Sequence, residues 1–165
     1  MTDKRETIEV VIEIPRGSRN KYEIDEETGA VKLDRVLYSS VHYPTDYGFI
    51  PHTRADDGDH LDVLVITEEP TVPGCHLLAR PVGVLKMRDE KGEDYKVIAV
   101  PVADPRFDGI DELAELHPHW LREIENFFHV YKTLEPDKVV DIDGWGDQQE
   151  AWAAIDAALV AEDAR

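Results

Sequence analysis

Apolar and polar residues alternate with period two over TIEVVIEI, where Ile8, Val10, Ile12 and Ile14 are separated by Glu9, Val11 and Glu13. That alternation predicts a half-buried strand. NKYEID (20–25) and AVKLDRV (30–36) flank EETG, a hairpin pattern with glycine in the turn. LDVLVI (61–66), CHLLARPVGVLKM (75–87) and YKVIAVPV (95–102) predict further strands, the last two flanking the acidic tip RDEKGED (88–94). Past Asp104 the period becomes helical. Pro118 suits a first helical turn, and Leu121, Ile124, Phe128 and Tyr131 recur behind it at helical spacing, a stripe that reads as core rather than as a cofactor box. KVVDID (138–143) is a short strand. Asp147 with Glu150 resembles a capping box, opening a helix with Trp152, Ile155 and Leu159 on its apolar stripe. Short strands followed by two helices predict an α+β fold built on a small closed or nearly closed barrel. No repeat, low-complexity tract or linker interrupts residues 1–165, which read as one domain.

Charge narrows the function classes. Acidic residues number 36 against 18 Lys and Arg, a formal net charge of −18. Such a surface repels nucleic acid and anionic membranes, so neither is expected as a partner. The charge either maintains solubility or is neutralised locally by bound cations. At 42% hydrophobic the chain has enough apolar residues to build a globular core. The single cysteine, Cys75, excludes an internal disulfide framework and reads as a small buried residue rather than a nucleophile. MTDKRETIEV lacks the apolar centre of a signal segment, and no stretch approaches the ~18 apolar residues of a membrane span. A cytoplasmic protein is expected.

Candidate chemistry concentrates in DDGDHLDVLV (56–65), four aspartates within seven positions running into an apolar strand. Asp57 and Asp59 share a face if extended. Asp62 lies on the strand face of Leu64 and Ile66, and Gly58 allows the chain to bend so that the three carboxylates converge. A solvated Asp-Gly turn is the plainer reading, but an aspartate facing an apolar layer is rarely left unpaired. The stretch fails the calcium-loop pattern, since Leu61 and Asp62 fall where Asp/Asn and Gly belong, and a magnesium-type oxygen site stays open. At the tip, a Lys91-Gly92 turn would set Asp89 across from Asp94 and Glu90 across from Glu93. Like charges facing across strands are destabilising unless a cation lies between them, although a wet hairpin tip tolerates them as well. The scarce cations Lys21, Arg35, Lys96 and Lys132, with Glu23 beside Lys21, each read singly as surface ion pairs. Tyr43 and Tyr47 bracket Pro44 in what reads as an exposed loop. Hydroxyls and cations beside clustered carboxylates suit a metal–phosphate complex. No Walker loop, GxSxG or HExxH is present, and His117 and His119 read as exposed.

Taken in order, VVIEIPRG, KYEID, LDR, YPTDYGFI, DGDHLDVLV, RPVGVLKMRDEKGEDYK and FFHVYKTLE closely resemble the soluble family I inorganic pyrophosphatases over roughly residues 7 to 145. The resemblance implies a five-stranded OB-like barrel with additional hairpins, flanked by two main helices. It implies hydrolysis of magnesium pyrophosphate with several Mg2+ ions, and a homo-oligomer, a hexamer in bacterial members, with the Phe127/Phe128 helix near a subunit contact. Metal ligands fall on Asp57, Asp59, Asp62, Asp89 and Asp94, with Glu13 lining the same site. Phosphate-holding groups fall on Lys21, Arg35, Tyr47, Lys96, Tyr131 and Lys132, and supporting positions on Glu23, Tyr43 and Glu90. Asp59 takes the general-base role, with Asp94 the competing candidate. His60 stands where the signature usually has proline, which loosens or re-aims the loop, and Asn126 and Val130 depart from the histidines common around the FF pair. A nucleic-acid-binding barrel and a broader two-metal phosphoesterase are the competing classes.

Overall fold

The computed structural model describes residues 6–163; the expectation for the first five residues lies outside them. The strands are β1 (Ile8–Ile14), β2 (Asn20–Ile24), β3 (Val31–Val36), β4 (Asp46–Ile50), β5 (Leu61–Val65), β6 (His76–Asp89), β7 (Gly92–Glu93), β8 (Lys96–Pro101) and β9 (Val140–Gly146). Helix α1 (Pro118–Val130) precedes β9, and α2 (Gln148–Asp163) follows it. Strand β1 pairs with both β4 and β6, β4 with β5, β5 in parallel with β8, and β8 with β6. Five strands therefore close into a ring, and the expected α+β barrel is present. The 14-residue β6 outlasts the ring, and its far half carries β7 and β9. The β2–β3 hairpin pairs apart from the ring.

Alternate residues of the same strands feed two apolar clusters. Leu61, Val63 and Val65 pack with Ala151, Ile155 and Ala158 of α2, while Leu64 and Ile66 pack with Ile124, Phe127 and Phe128 of α1. A strand buried on both faces carries an unbroken apolar run, which is why β5 and β8 lack a clean alternation. The capping box at α2 is present in both directions: the Glu150 N–H donates to Asp147 at 2.9 Å and the Asp147 N–H to Glu150 at 3.1 Å. His117 and His119 are exposed, as expected. Among the described residues no helix is long and apolar enough to cross a membrane.

Several expectations are corrected. Ile14 does not share a face with Ile8, Val10 and Ile12; a bulge at Glu13 shifts the register against β4 and sends Ile14 into the other cluster. Tyr43 and Tyr47 do not lie in an exposed loop. Both are buried, and Tyr47 belongs to β4, whose double-sided burial and polar first residue hid the strand. That residue, Asp46, is fully buried and accepts bonds from the Arg16 N–H, the Thr71 N–H and the Thr71 hydroxyl. Gly48 is required by close packing, because a Cβ there would run into the Val11 carbonyl of β1. At the acidic tip the turn is Glu90-Lys91. Asp89 faces Gly92, and the Asp94 N–H bonds the Met87 carbonyl, so neither expected like-charge pair forms. Gly92, at φ +113°, follows the turn instead of sitting inside it. Cys75 is half-buried rather than buried.

Candidate active site

The carboxylate loop is folded by its own backbone. Gly58 adopts φ +89°, a conformation that lets the chain reverse. The Ala55 N–H reaches the Asp59 carbonyl at 2.7 Å, the Asp59 N–H bonds the Asp57 carboxylate at 3.0 Å, and Arg54 holds the Gly58 carbonyl at 2.9 Å. The loop delivers Asp57 and Asp59 to the mouth of a cavity of about 180 Å3. Strand β5 adds Asp62, and the β6–β7 tip adds Asp89 and Glu90. Asp94 and Lys96 come from the start of β8, and Tyr131 and Lys132 from the end of α1. The hairpin adds Lys21 and Arg35, and Tyr43 and Tyr47 complete the wall. Of the site residues that the resemblance assigns, all line this cavity except Glu13 and Glu23.

At the floor lies a closed polar network. Lys96, 3% exposed, donates to Asp62 at 2.6 Å, to Asp94 at 2.8 Å and to the Tyr47 hydroxyl at 2.8 Å. Tyr47 in turn donates to the same Asp62 oxygen at 2.6 Å. Burial alone would lower the Lys96 pKa, but Asp62, Tyr47 and Asp94 outweigh it and hold the ammonium well above its usual range. Burial raises the Tyr47 hydroxyl strongly, with Asp62 adding to the effect. Lys96 is thus engaged with carboxylates and a phenol rather than standing free for a phosphate.

The rim is arranged differently. Asp34 accepts from Lys21 at 3.1 Å and from Arg35 at 2.7 Å. A bulge in β3 opposite Lys21–Tyr22 makes this contact geometry available to the adjacent Asp34 and Arg35. Arg35 also faces the buried Glu135 at 3.0 Å. Burial lowers the Lys132 pKa, with Glu90 opposing. Asp89 accepts from the Lys91 N–H at 2.8 Å, and Glu90 pairs with Lys138 at 3.3 Å. Asp34, Glu135, Lys91 and Lys138 are contributors that the sequence reading missed. Only the bulge and the chain reversal bring them in, although Asp34 and Glu135 belong to the quoted LDR and KTLE motifs.

The acidic residues fit a hard cation in kind. Asp57 is pushed up by burial and, after the opposing Asp59 N–H, by the carboxylates of Asp59, Asp62 and Asp94. A positive ion among them would relieve that repulsion, and an all-oxygen donor set suits magnesium. Among the described residues, no three such groups already converge on one point. Glu13 lies behind the cavity. Its carboxyl is raised to about 7 by burial, with the Ile24 N–H opposing and Asp62 adding. His60 is held where it stands: its Nδ1 meets the Thr53 carbonyl at 2.9 Å, its Nε2 meets Glu26, and its ring stacks on Phe49 at 4.7 Å between centroids.

The family model for inorganic pyrophosphatase matches residues 10–162. The chain belongs to the inorganic pyrophosphatase family. It is 55% identical over 151 residues to the inorganic pyrophosphatase of Leifsonia xyli, covering 92% of this chain and 93% of that one. It superposes on the inorganic pyrophosphatase of Thermus thermophilus with a TM-score of 0.93 at 45% identity, covering 99% and 95% of the two chains. The enzyme of Helicobacter pylori gives 0.94 at 40% identity, covering 98% and 96%.

Proposed function

We propose that the protein hydrolyses inorganic pyrophosphate to two orthophosphates with magnesium as cofactor, at the cavity bounded by the carboxylate loop and the β2–β3 hairpin. Membership of the family makes it a hydrolase of pyrophosphate; the metal and the residue roles are the proposal. One observation carries it: five aspartates and the cations Lys21, Arg35, Lys96 and Lys132 face the same cavity. An anion cannot approach so acidic a wall unaided.

Asp57, Asp59, Asp62, Asp89 and Asp94 are the residues that would hold magnesium, with Glu13 behind them. Bound there, the metal would supply positive charge for both phosphates and acidify a water. Asp59 removes the proton from the attacking water. It is exposed at the cavity edge, and among the described residues its carboxylate accepts no hydrogen bond, whereas Asp94 is tied to Lys96. Lys21, Arg35 and Lys132 hold the phosphates. Reaching them requires a phosphate to take the place of Asp34 on Lys21 and Arg35, an exchange of one anion for another. Tyr131 and Tyr47 stay protonated, because burial raises both hydroxyls; Tyr131 can donate as charge grows on the leaving phosphate, whereas Tyr47 must first release Asp62. Tyr43 supports them by packing on Tyr47 and Phe127. Lys96 reaches substrate only by releasing one of its present partners.

Orthophosphate release from pyrophosphate tests the reading, with magnesium, with calcium and with no divalent ion. Turnover is expected with magnesium alone, since the larger calcium ion holds its ligands in a slacker geometry. Equal turnover with calcium would overturn the metal assignment, and hydrolysis of simple phosphomonoesters would favour the broader phosphoesterase. A homohexamer is also proposed, on the resemblance. Phe127 and Phe128 are buried within the chain, so a contact through α1 would use its outward Arg122, Glu123, Asn126 and His129. A monomer by light scattering at micromolar concentration would refute it.

A further inference from the structure

The carboxylate loop and the cationic hairpin are distant in sequence, yet one side chain spans them. His60 belongs to the loop, between Asp59 and Asp62, while Glu26 sits in the turn between β2 and β3, whose strands carry Lys21 and Arg35. The imidazole has a neighbour on three sides, and as a neutral ring with one N–H it donates to one of the two oxygens facing its nitrogens, as an imidazolium to both. Its Nδ1 meets the Thr53 carbonyl at 2.9 Å, and its face stacks on Phe49 of β4 with the planes 13° apart. Its Nε2 meets Oε1 of Glu26. Thr53 is itself buried, and its hydroxyl accepts the Leu61 N–H at 2.9 Å, so the ring stands on a rigid base where the loop enters β5. A proline here would stiffen the loop but carries no donor, and could not reach the hairpin.

We propose that His60 is a positioning residue that, through Glu26, ties the carboxylate loop to the hairpin bearing Lys21 and Arg35, so that metal-holding and phosphate-holding groups are set relative to one another. The inference rests on the functional reading above. Glu26 is exposed and touches none of the cavity groups, so its removal leaves the chemistry and the core intact. An exposed pair of this kind is worth a modest factor, about 2–5-fold in an equilibrium constant.

The test compares the unsubstituted protein with Glu26→Ala, His60→Pro and the double variant. Three quantities are measured: Mn2+ affinity without substrate by electron paramagnetic resonance, KM against kcat for magnesium pyrophosphate, and amide exchange over residues 55–62. Glu26→Ala is expected to weaken Mn2+ binding and raise KM by about 2–5-fold. Its kcat should stay within about twofold, its loop amides should exchange faster, and the double variant should be no worse than the worse single one. A merely structural contact would lower thermal stability and leave the KM-to-kcat split untouched. Unchanged Mn2+ affinity, KM and exchange in Glu26→Ala overturn the tie, even if His60→Pro fails to fold. If the unsubstituted protein neither binds Mn2+ nor hydrolyses pyrophosphate, the functional reading falls and the coupling with it, whatever the exchange shows.

Discussion

Two cavities lie back to back across the same stretch of chain. The larger, about 320 Å3, is floored by Ala153, Ala154, Ala157, Ala158 and Ala161 of α2 and by Leu61, with Arg54, Lys86 and Glu150 at its rim. The smaller, about 180 Å3, holds the aspartates, lysines and tyrosines. Neighbouring residues face opposite ways: Asp56, Leu61, Glu93 and Tyr95 into the large cavity, and Asp57, Asp62, Asp94 and Lys96 into the small one. Size therefore says little about chemistry here. What distinguishes the small cavity is that opposite charges from distant segments line one wall, with Asp94 and Lys96 buried at its floor, where their pairing is worth more than in water. Charges around the larger one pair at the surface, as Lys86 does with Glu150 at 3.1 Å, where solvent screens them.

The sharpest way to break the comparison is at the proposed base. Asp59→Asn keeps size and one acceptor, so folding should persist while kcat at saturating magnesium falls by about 10²–10⁴-fold. Near-full activity in that variant, with Asp94→Asn inactive, would move the base to Asp94. Next in size is Lys96→Met. It leaves the buried Asp94 and half-buried Asp62 without their counter-charge, and the expected loss is about 3–5 kcal/mol of stability in urea unfolding. Added magnesium should restore part of it, because a cation can take over the same carboxylates. A loss below 1 kcal/mol would mean the network is not holding the floor together.

Smaller effects are expected at the rim. Lys21→Ala, Arg35→Ala and Lys132→Ala each remove a charge-assisted contact, costing about 1.5–3 kcal/mol, or roughly 10–100-fold in kcat/KM. Circular dichroism should show each variant folded. An unchanged kcat/KM in all three would reduce them to surface charges. The smallest effect belongs to the large cavity: Lys86→Ala should alter kcat/KM by less than about twofold. A tenfold loss there would show that the large cavity takes part in turnover.

The parts legible from sequence were those with a local period or a local signal. Strand β1 follows from its alternation, β5, β6 and β8 from their apolar runs, and both helices and the capping box from spacings of three and four residues. The carboxylate loop was legible through its aspartate spacing and Gly58. Strand β4 was not, because Asp46, Tyr47 and Gly48 at its start interrupt the apolar run that marks β5 and β8, and Asp46 is satisfied by distant partners. The bulges at Glu13 and Asp34 were not legible either. Each inserts one residue into a ladder, and that insertion is visible only against the partner strand. The tip register failed for a related reason: a glycine that looks like part of a turn also suits the position after it.

By itself, then, the sequence determined which groups were available and on which element each lies. An unbroken order of motifs, with aspartates beside an apolar run and cations in short supply, was enough to point to a metal and an anionic substrate. Only the tertiary structure decided who partners whom. Lys96 reads singly as a surface ion pair until folding buries it against Asp62, 34 positions away, and Tyr47, 49 away. Lys21 and Arg35 read as separate surface ion pairs until Asp34 is found between them. The reason is physical. Periodicity is fixed by the geometry of one segment, whereas the balance of buried charges depends on registers between segments, and one residue of slip turns every side chain to the other face.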